Sequence, residues 1–210
     1  MGKLRAACIV LLLLYACNDT DKTTARPPVR DTAITRAANE YASIDQSPLD
    51  ISYCPADYPQ QKMENAAAVG LPVARIIYSR PHKKGRLIFG KEENSLCRYG
   101  IAWRLGANEA TEIEFFKPVV INSKNVNAGR YIMYCIPYPD KWIIIFNSNL
   151  NSWGLNIDPG QDLFTTEIPV QHSAEILEDF SMLFTETATG ADLMMAWDDV
   201  KTFLPVTFSK

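Results

Sequence analysis

The chain has 210 residues, 47% of them hydrophobic and 21% charged, with 21 Lys and Arg against 24 Asp and Glu and a net charge of −3. This is the composition of a globular protein, and it excludes a disordered or collagen-like chain. A net acidic chain has no global attraction for nucleic acid. Any basic patch must therefore be local, and no nucleic-acid partner is expected.

The first element is a leader. Lys3 and Arg5 precede an apolar run from Ala6 to Ala16. That run is too short to cross a hydrocarbon core of ~30 Å as a helix, but it has the length of a secretory h-region. It ends in Leu14-Tyr15-Ala16-Cys17, which resembles the bacterial lipobox, whose cysteine is lipidated on sulfur and becomes the new N-terminus. We expect a lipoprotein signal peptide over residues 1–16 and lipidation of Cys17, with the membrane as partner through the acyl chains. The other reading is an ordinary signal peptide with an incidental cysteine. Asn18 in place of Asp favours the outer over the inner membrane, by resemblance to known sorting signals. The expected location is the bacterial cell envelope.

Residues 17–46 read as a flexible tether: Asp19, Thr20, Asp21, Thr23 and Thr24 are polar, and Pro27-Pro28 disfavours regular structure. Within it Asp31–Ile44 has the composition of a weak helix or of a mobile spacer. Residues 47–210 are expected to form one domain, with roughly 160 residues and a core of its own.

From Leu71 onward the sequence predicts short strands separated by turns. They are Val73–Tyr78, Arg86–Phe89, Thr111–Phe116, Val119–Asn122, Arg130–Ile136, Lys141–Asn147, Leu163–Val170, Ile176–Thr185, Ala191–Trp197 and Val200–Phe208. In Thr111–Phe116, Ile113 and Phe115 alternate with Glu112 and Glu114, the pattern of a half-buried strand. Lys141–Asn147 is apolar on both faces and should be central. Ser123-Lys124 and Asn127-Ala128-Gly129 read as turns. Turn signals every 8–12 residues indicate an all-β protein, an antiparallel β-sandwich of jelly-roll or immunoglobulin-like type.

There are five cysteines. Cys8 would leave with the signal peptide and Cys17 would be lipidated. Cys54, Cys97 and Cys135 remain, so at most one disulfide can form within the chain, with Cys54 and Cys97 the candidate pair. Cys135, in an apolar strand, reads as a small buried hydrophobe. No C-x-x-C is present, so no redox motif or cysteine zinc site is indicated.

The chemistry-bearing residues gather between Ser79 and Phe116. Gly85–Glu92 matches the spacing of a P-loop, but Glu92 replaces the Ser or Thr that would hold magnesium, and strand-like residues fill the loop. Arg80, His82, Lys83, Lys84 and Arg86 form the densest basic run, able to bind an anion or to lie as a solvated loop. Pro81 biases Arg80 towards an extended backbone. Trp103, Arg104, Asn108 and Glu109 follow, with Gly106 suited to a tight turn. They could hold a small polar ligand. The structural reading of the same residues makes Trp103 core, Asn108 a turn cap and Glu109 the partner of Arg104. His82 and His172 are the only histidines, too few and too far apart in sequence to predict a metal site. No cofactor is expected. A Cys97–His82 nucleophile is a further arrangement, and no G-x-S-x-G elbow is present.

The segments SPLDISYCPADYP, YSRPHKKGRLIFG, YGIAWRLGANEATEIEFF, AGRYIMYCIP, KWIIIFN, SWG and AWDDVKTFLPV resemble the bacterial domain of unknown function 2911 family, over about residues 47–206. Trp103-Arg104 and Gly106–Thr111 are the most specific of these. The resemblance implies an envelope lipoprotein and brings no catalytic residues. Ser123 departs from a frequent Gly, Cys54 from a common aromatic, and Lys91–Leu96 is more charged than usual.

Together these readings predict a lipid-anchored β-sandwich binding a small polar or anionic ligand, or a glycan, through Arg80, Lys84, Arg86, Trp103, Arg104, Asn108 and Glu109. The alternatives are a hydrolase using Glu109 or His82 as general base, and a structural or interaction module of the envelope.

Overall fold

The computed structural model describes residues 45–208. The expected signal peptide, Cys17 and the expected tether up to residue 44 lie outside the described residues. Asp45 and Gln46, at the end of the expected tether, bond to the domain through Asn108 and Lys84.

The described chain is all-β apart from one short helix and a single 3-10 turn. Its strands are β1 (Leu49–Cys54), β2 (Ala74–Ser79), β3 (Phe89–Gly90), β4 (Cys97–Arg98), β5 (Thr111–Phe115), β6 (Val119–Ile121), β7 (Lys124–Val126), β8 (Gly129–Pro137), β9 (Lys141–Asn147), β10 (Asp162–Thr187) and β11 (Gly190–Phe208). Helix α1 (Tyr58–Glu64) follows β1, with proline in its first turn and no buried residue. The main sheet runs β1-β2-β5-β8-β9-β10-β11-β6-β7 and is antiparallel throughout.

Residue alternation sets the layers. In β5, Thr111, Ile113 and Phe115 are buried and Glu112 and Glu114 half-buried, as the period of two requires. β9 lies between β8 and β10 and buries Trp142, Ile144, Ile145 and Phe146, the position expected for a strand apolar on both faces.

Two expectations are corrected. The four strands predicted after Leu163 are two long ones, β10 and β11. The breaks left between the predicted strands at residues 171–175 and 198–199 do not end β10 and β11, although residues 173–176 and Asp199 have no partner in the β10–β11 register. Register shifts fall between His172 and Leu177 and between Leu177 and Ser181, and Asp198 takes φ 57°. Bulges of this kind bend a strand without ending it. The first part of β10 pairs with β9 and the rest with β11, so one strand serves both layers of a sandwich-like fold. The second correction concerns Arg86–Phe89. Only Phe89 and Gly90 are extended there, pairing in parallel with β4.

Five elements were not anticipated: β1, α1, β4, β7 and the 3-10 turn Pro159–Gln161. The turn between β6 and β7 is the two residues Asn122-Ser123, with φ 46° and 64°. Left-handed backbone at both positions is the signature of a type I′ turn, formed here with Ser where Gly is favoured.

The layers meet over a core whose largest fully buried side chains include Trp142, Trp197, Phe115, Phe146 and Phe180. Tyr78 closes the first edge onto β10: its hydroxyl accepts from Met182 N at 2.9 Å and donates to Asp50 at 3.1 Å. Burial pushes its pKa up to about 12. Cys54, Cys97 and Cys135 are all free and buried.

Candidate functional site

The basic run divides in two. Its first half is stitched to β10 by backbone bonds, Phe180 N to Pro81 O at 3.1 Å and Lys83 N to Glu178 O at 2.6 Å. Side chains of neighbouring elements, mostly acids, then bond to its own. Arg80 pairs with Asp50 at 3.2 Å and donates to Ser181. His82 bonds to Asp179. Lys83 pairs with Asp198 at 2.5 Å. Lys84 donates its backbone N–H to Glu178 and its ammonium to Gln46. Arg80, His82 and Lys84 thus help to close the sandwich.

Arg86 behaves differently. It donates to the backbone oxygens of His82 and Lys83, which fixes its position, and among the described residues its charge has no carboxylate partner. It lines a groove of about 560 Å³ together with Arg98, Trp103, Arg104 and Asn108. Four of the predicted residues therefore converge. Arg98, at the end of β4, was not singled out from the sequence, although it stands beside Cys97 between Ser79 and Phe116.

The wall of this groove is the turn Trp103–Asn108. Trp103 exchanges both backbone hydrogen bonds with Cys135, at 2.7 and 2.8 Å. Its indole is only 7% exposed, packed against Phe180, Trp142, Trp197 and Phe89 at centroid distances of 5.0–5.9 Å. Trp103 is thus core, presenting no more than an edge to the groove. Leu105 and Asn108 take φ 53° and 58°. Left-handed backbone at a fully buried leucine is costly, and such outliers persist only where the surroundings over-determine them. Here Thr111 Oγ1 donates to Leu105 O at 2.6 Å. A side chain at Gly106 would bring its Cβ within 2.9 Å of Ser79 O.

Arg104 spans the turn. Its Nε donates to Gly106 O at 3.4 Å and its Nη1 to Asn108 O at 3.2 Å. It lies across Gly154, where an added Cβ would fall 2.3 Å from Arg104 Cδ. Residues 152–154 run alongside residues 108–110, through Ala110 N to Ser152 O at 3.1 Å and Gly154 N to Asn108 O at 2.9 Å. Burial lowers the Arg104 pKa, a measure of how far this guanidinium is desolvated.

Glu109 does not join the groove. It bridges to Trp153 and lines a separate concavity with Glu112, Arg130, Asn151 and Trp153. It makes no ion pair with Arg104. Glu109 and His82, the two general-base candidates, therefore lie in different places, neither of them lining the arginine groove. Cys97 does line it, but burial raises its thiol pKa well above 9. A nucleophilic thiolate is disfavoured there.

Glu93 is the one carboxylate on the groove lining, against three guanidiniums. Arginine forks match carboxylate and phosphate oxygens in pairs, so the arrangement suits an oxyanion. Among the described residues no cluster of His, Cys, Asp and Glu is arranged to hold a metal ion, and no helix is long and apolar enough to cross a membrane.

A family model described as "Protein of unknown function (DUF2911)" matches residues 59–206. No curated protein and no solved structure matches the chain.

Proposed function

We propose, from the premise that the chain belongs to the DUF2911 family of proteins of unknown function, that it binds a small anionic ligand bearing a carboxylate or phosphate. The observation that carries this reading is the convergence of Arg86, Arg98 and Arg104 on one groove with a single opposing carboxylate. Partial desolvation of Arg104 strengthens its attraction for an oxyanion relative to a fully solvated cation. The strained turn at Leu105 and Asn108 supports the same assignment, because strain of this kind clusters at ligand sites.

A thermal-shift screen of the full chain tests the reading, with phosphate monoesters and di- and tricarboxylates as probes. The melting temperature should rise with at least one anion, as binding to the folded state alone requires. Arg98→Met should abolish that rise and leave the unliganded melting temperature in place, since Arg98 is exposed. An unmoved wild type, or an equal rise in the variant, contradicts it.

The domain acts, in this proposal, at the envelope, held by acyl chains on Cys17 and most naturally at the outer membrane. The sequence Leu14–Cys17 followed by Asn18 supports the anchor. Metabolic labelling with a palmitate analogue should mark the protein, and Cys17→Ala should lose the label. Equal labelling of the variant would remove the anchor from the account.

A further inference from the structure

The concavity beside the arginine groove has a different chemistry. It occupies about 630 Å³ on the outer face of the sheet, over β1, β2, β5 and β8, within the size range of small-ligand sites. Trp153 forms one rim and Leu49 the other, 51% and 60% exposed. The remaining three tryptophans, Trp103, Trp142 and Trp197, are buried. Trp153 is thus the one indole offered to solvent, and its backbone is held by the bridge to Glu109.

Between the rims lies a fixed polar network. Arg130 donates to both carboxylate oxygens of Glu112, at 2.8 and 2.6 Å, and to Asn151 Oδ1 at 3.1 Å. This bidentate pair neutralises both charges and locks the side chains before any ligand arrives. It leaves the Asn151 amide nitrogen as a donor, while Glu109 on the lining is an acceptor. With two glutamates and one arginine, the concavity carries net negative charge and repels anions. A stacking face, neutralised charges and several preset donors and acceptors fit a ligand with one apolar C–H face and a rim of hydroxyls.

We infer that this concavity is a second binding site, taking a neutral saccharide whose ring lies on the Trp153 indole while its hydroxyls bond to Glu109, Asn151 and the Glu112–Arg130 pair. The site is separate from the arginine groove, so each stands or falls alone.

The exposure of a single tryptophan supplies the readout. Acrylamide quenching of the full chain reports on Trp153, because the other indoles are shielded. Titration with cellohexaose, chitohexaose and xylohexaose should give saturable protection from quenching with at least one of them. Calorimetry with that oligosaccharide should show about tenfold weaker binding for Trp153→Ala, and an intermediate loss for Trp153→Phe, which keeps a smaller ring. Trp153 is half exposed, so both variants should keep the wild-type melting temperature. Three results overturn the assignment: no protection by any of the three, undiminished binding by a folded Trp153→Ala, or protection that grows with protein concentration in the absence of sugar. The last would make the patch a contact between copies of this chain.

Discussion

Arg104 shows how one side chain can be scaffold and, in the proposed function, ligand group as well. Two of its nitrogens hold the carbonyls of Gly106 and Asn108, and its charge remains available to the groove. The glycine beneath it is a direct handle on that arrangement. Gly154→Ala would place a methyl against Arg104 Cδ and 2.8 Å from Asn108 O. Overpacking of this kind costs about 1–3 kcal/mol, so a urea melt should show a loss in that range, and anion affinity should fall with it. A variant that unfolds like the wild type would mean that Arg104 does not lie across Gly154. At this scale the sequence was only half readable. The density of Arg80 to Arg86 was evident, but the acids that neutralise most of it, Asp50, Asp179 and Asp198, are remote in the chain. Trp103 carried two readings, and only its packing among four other aromatic rings decides for core.

Strand alternation was legible where each strand has one wet face and one dry face, as in β5, or is dry on both, as in β9. It was not legible where the polar residues that break the pattern make bulges instead of turns, as in β10 and β11. The closure of the first edge on β10 was also hidden, because it rests on partners remote in the chain, one buried hydroxyl among them. Tyr78→Phe removes the acceptor of the buried Met182 N–H and frees Asp50 from one of its three partners. An unsatisfied buried donor costs about 1–3 kcal/mol. We expect chemical denaturation to show that loss, and amide exchange to quicken at Met182 and its neighbours in β10 before the core of β9. Unchanged stability would show that packing, and not the hydroxyl, joins these strands.

For the molecule as a whole, a net acidic chain concentrates three guanidiniums in one groove and sets a net negative, tryptophan-rimmed concavity beside it. The loop of residues 151–157 walls both, with Gly154, Leu155 and Ile157 on the groove and Asn151, Ser152 and Trp153 on the concavity. Opposite local charge on two adjacent surfaces is invisible in an overall charge count, which gave no reason to expect nucleic acid and could say nothing finer. In the proposed function, attraction to the groove is electrostatic, so anion affinity should decline as salt rises, least for the contact with the partly buried Arg104.

The most direct measurement is an NMR titration that follows the guanidinium Nε–Hε signals of the full chain as inorganic phosphate is added. The signals of Arg86, Arg98 and Arg104 should move together and saturate with one dissociation constant, while those of Arg80 and Arg130, held by carboxylates, stay still. Small unsaturated drifts shared by all the arginines would contradict this, and would return the groove to the surface of a structural domain.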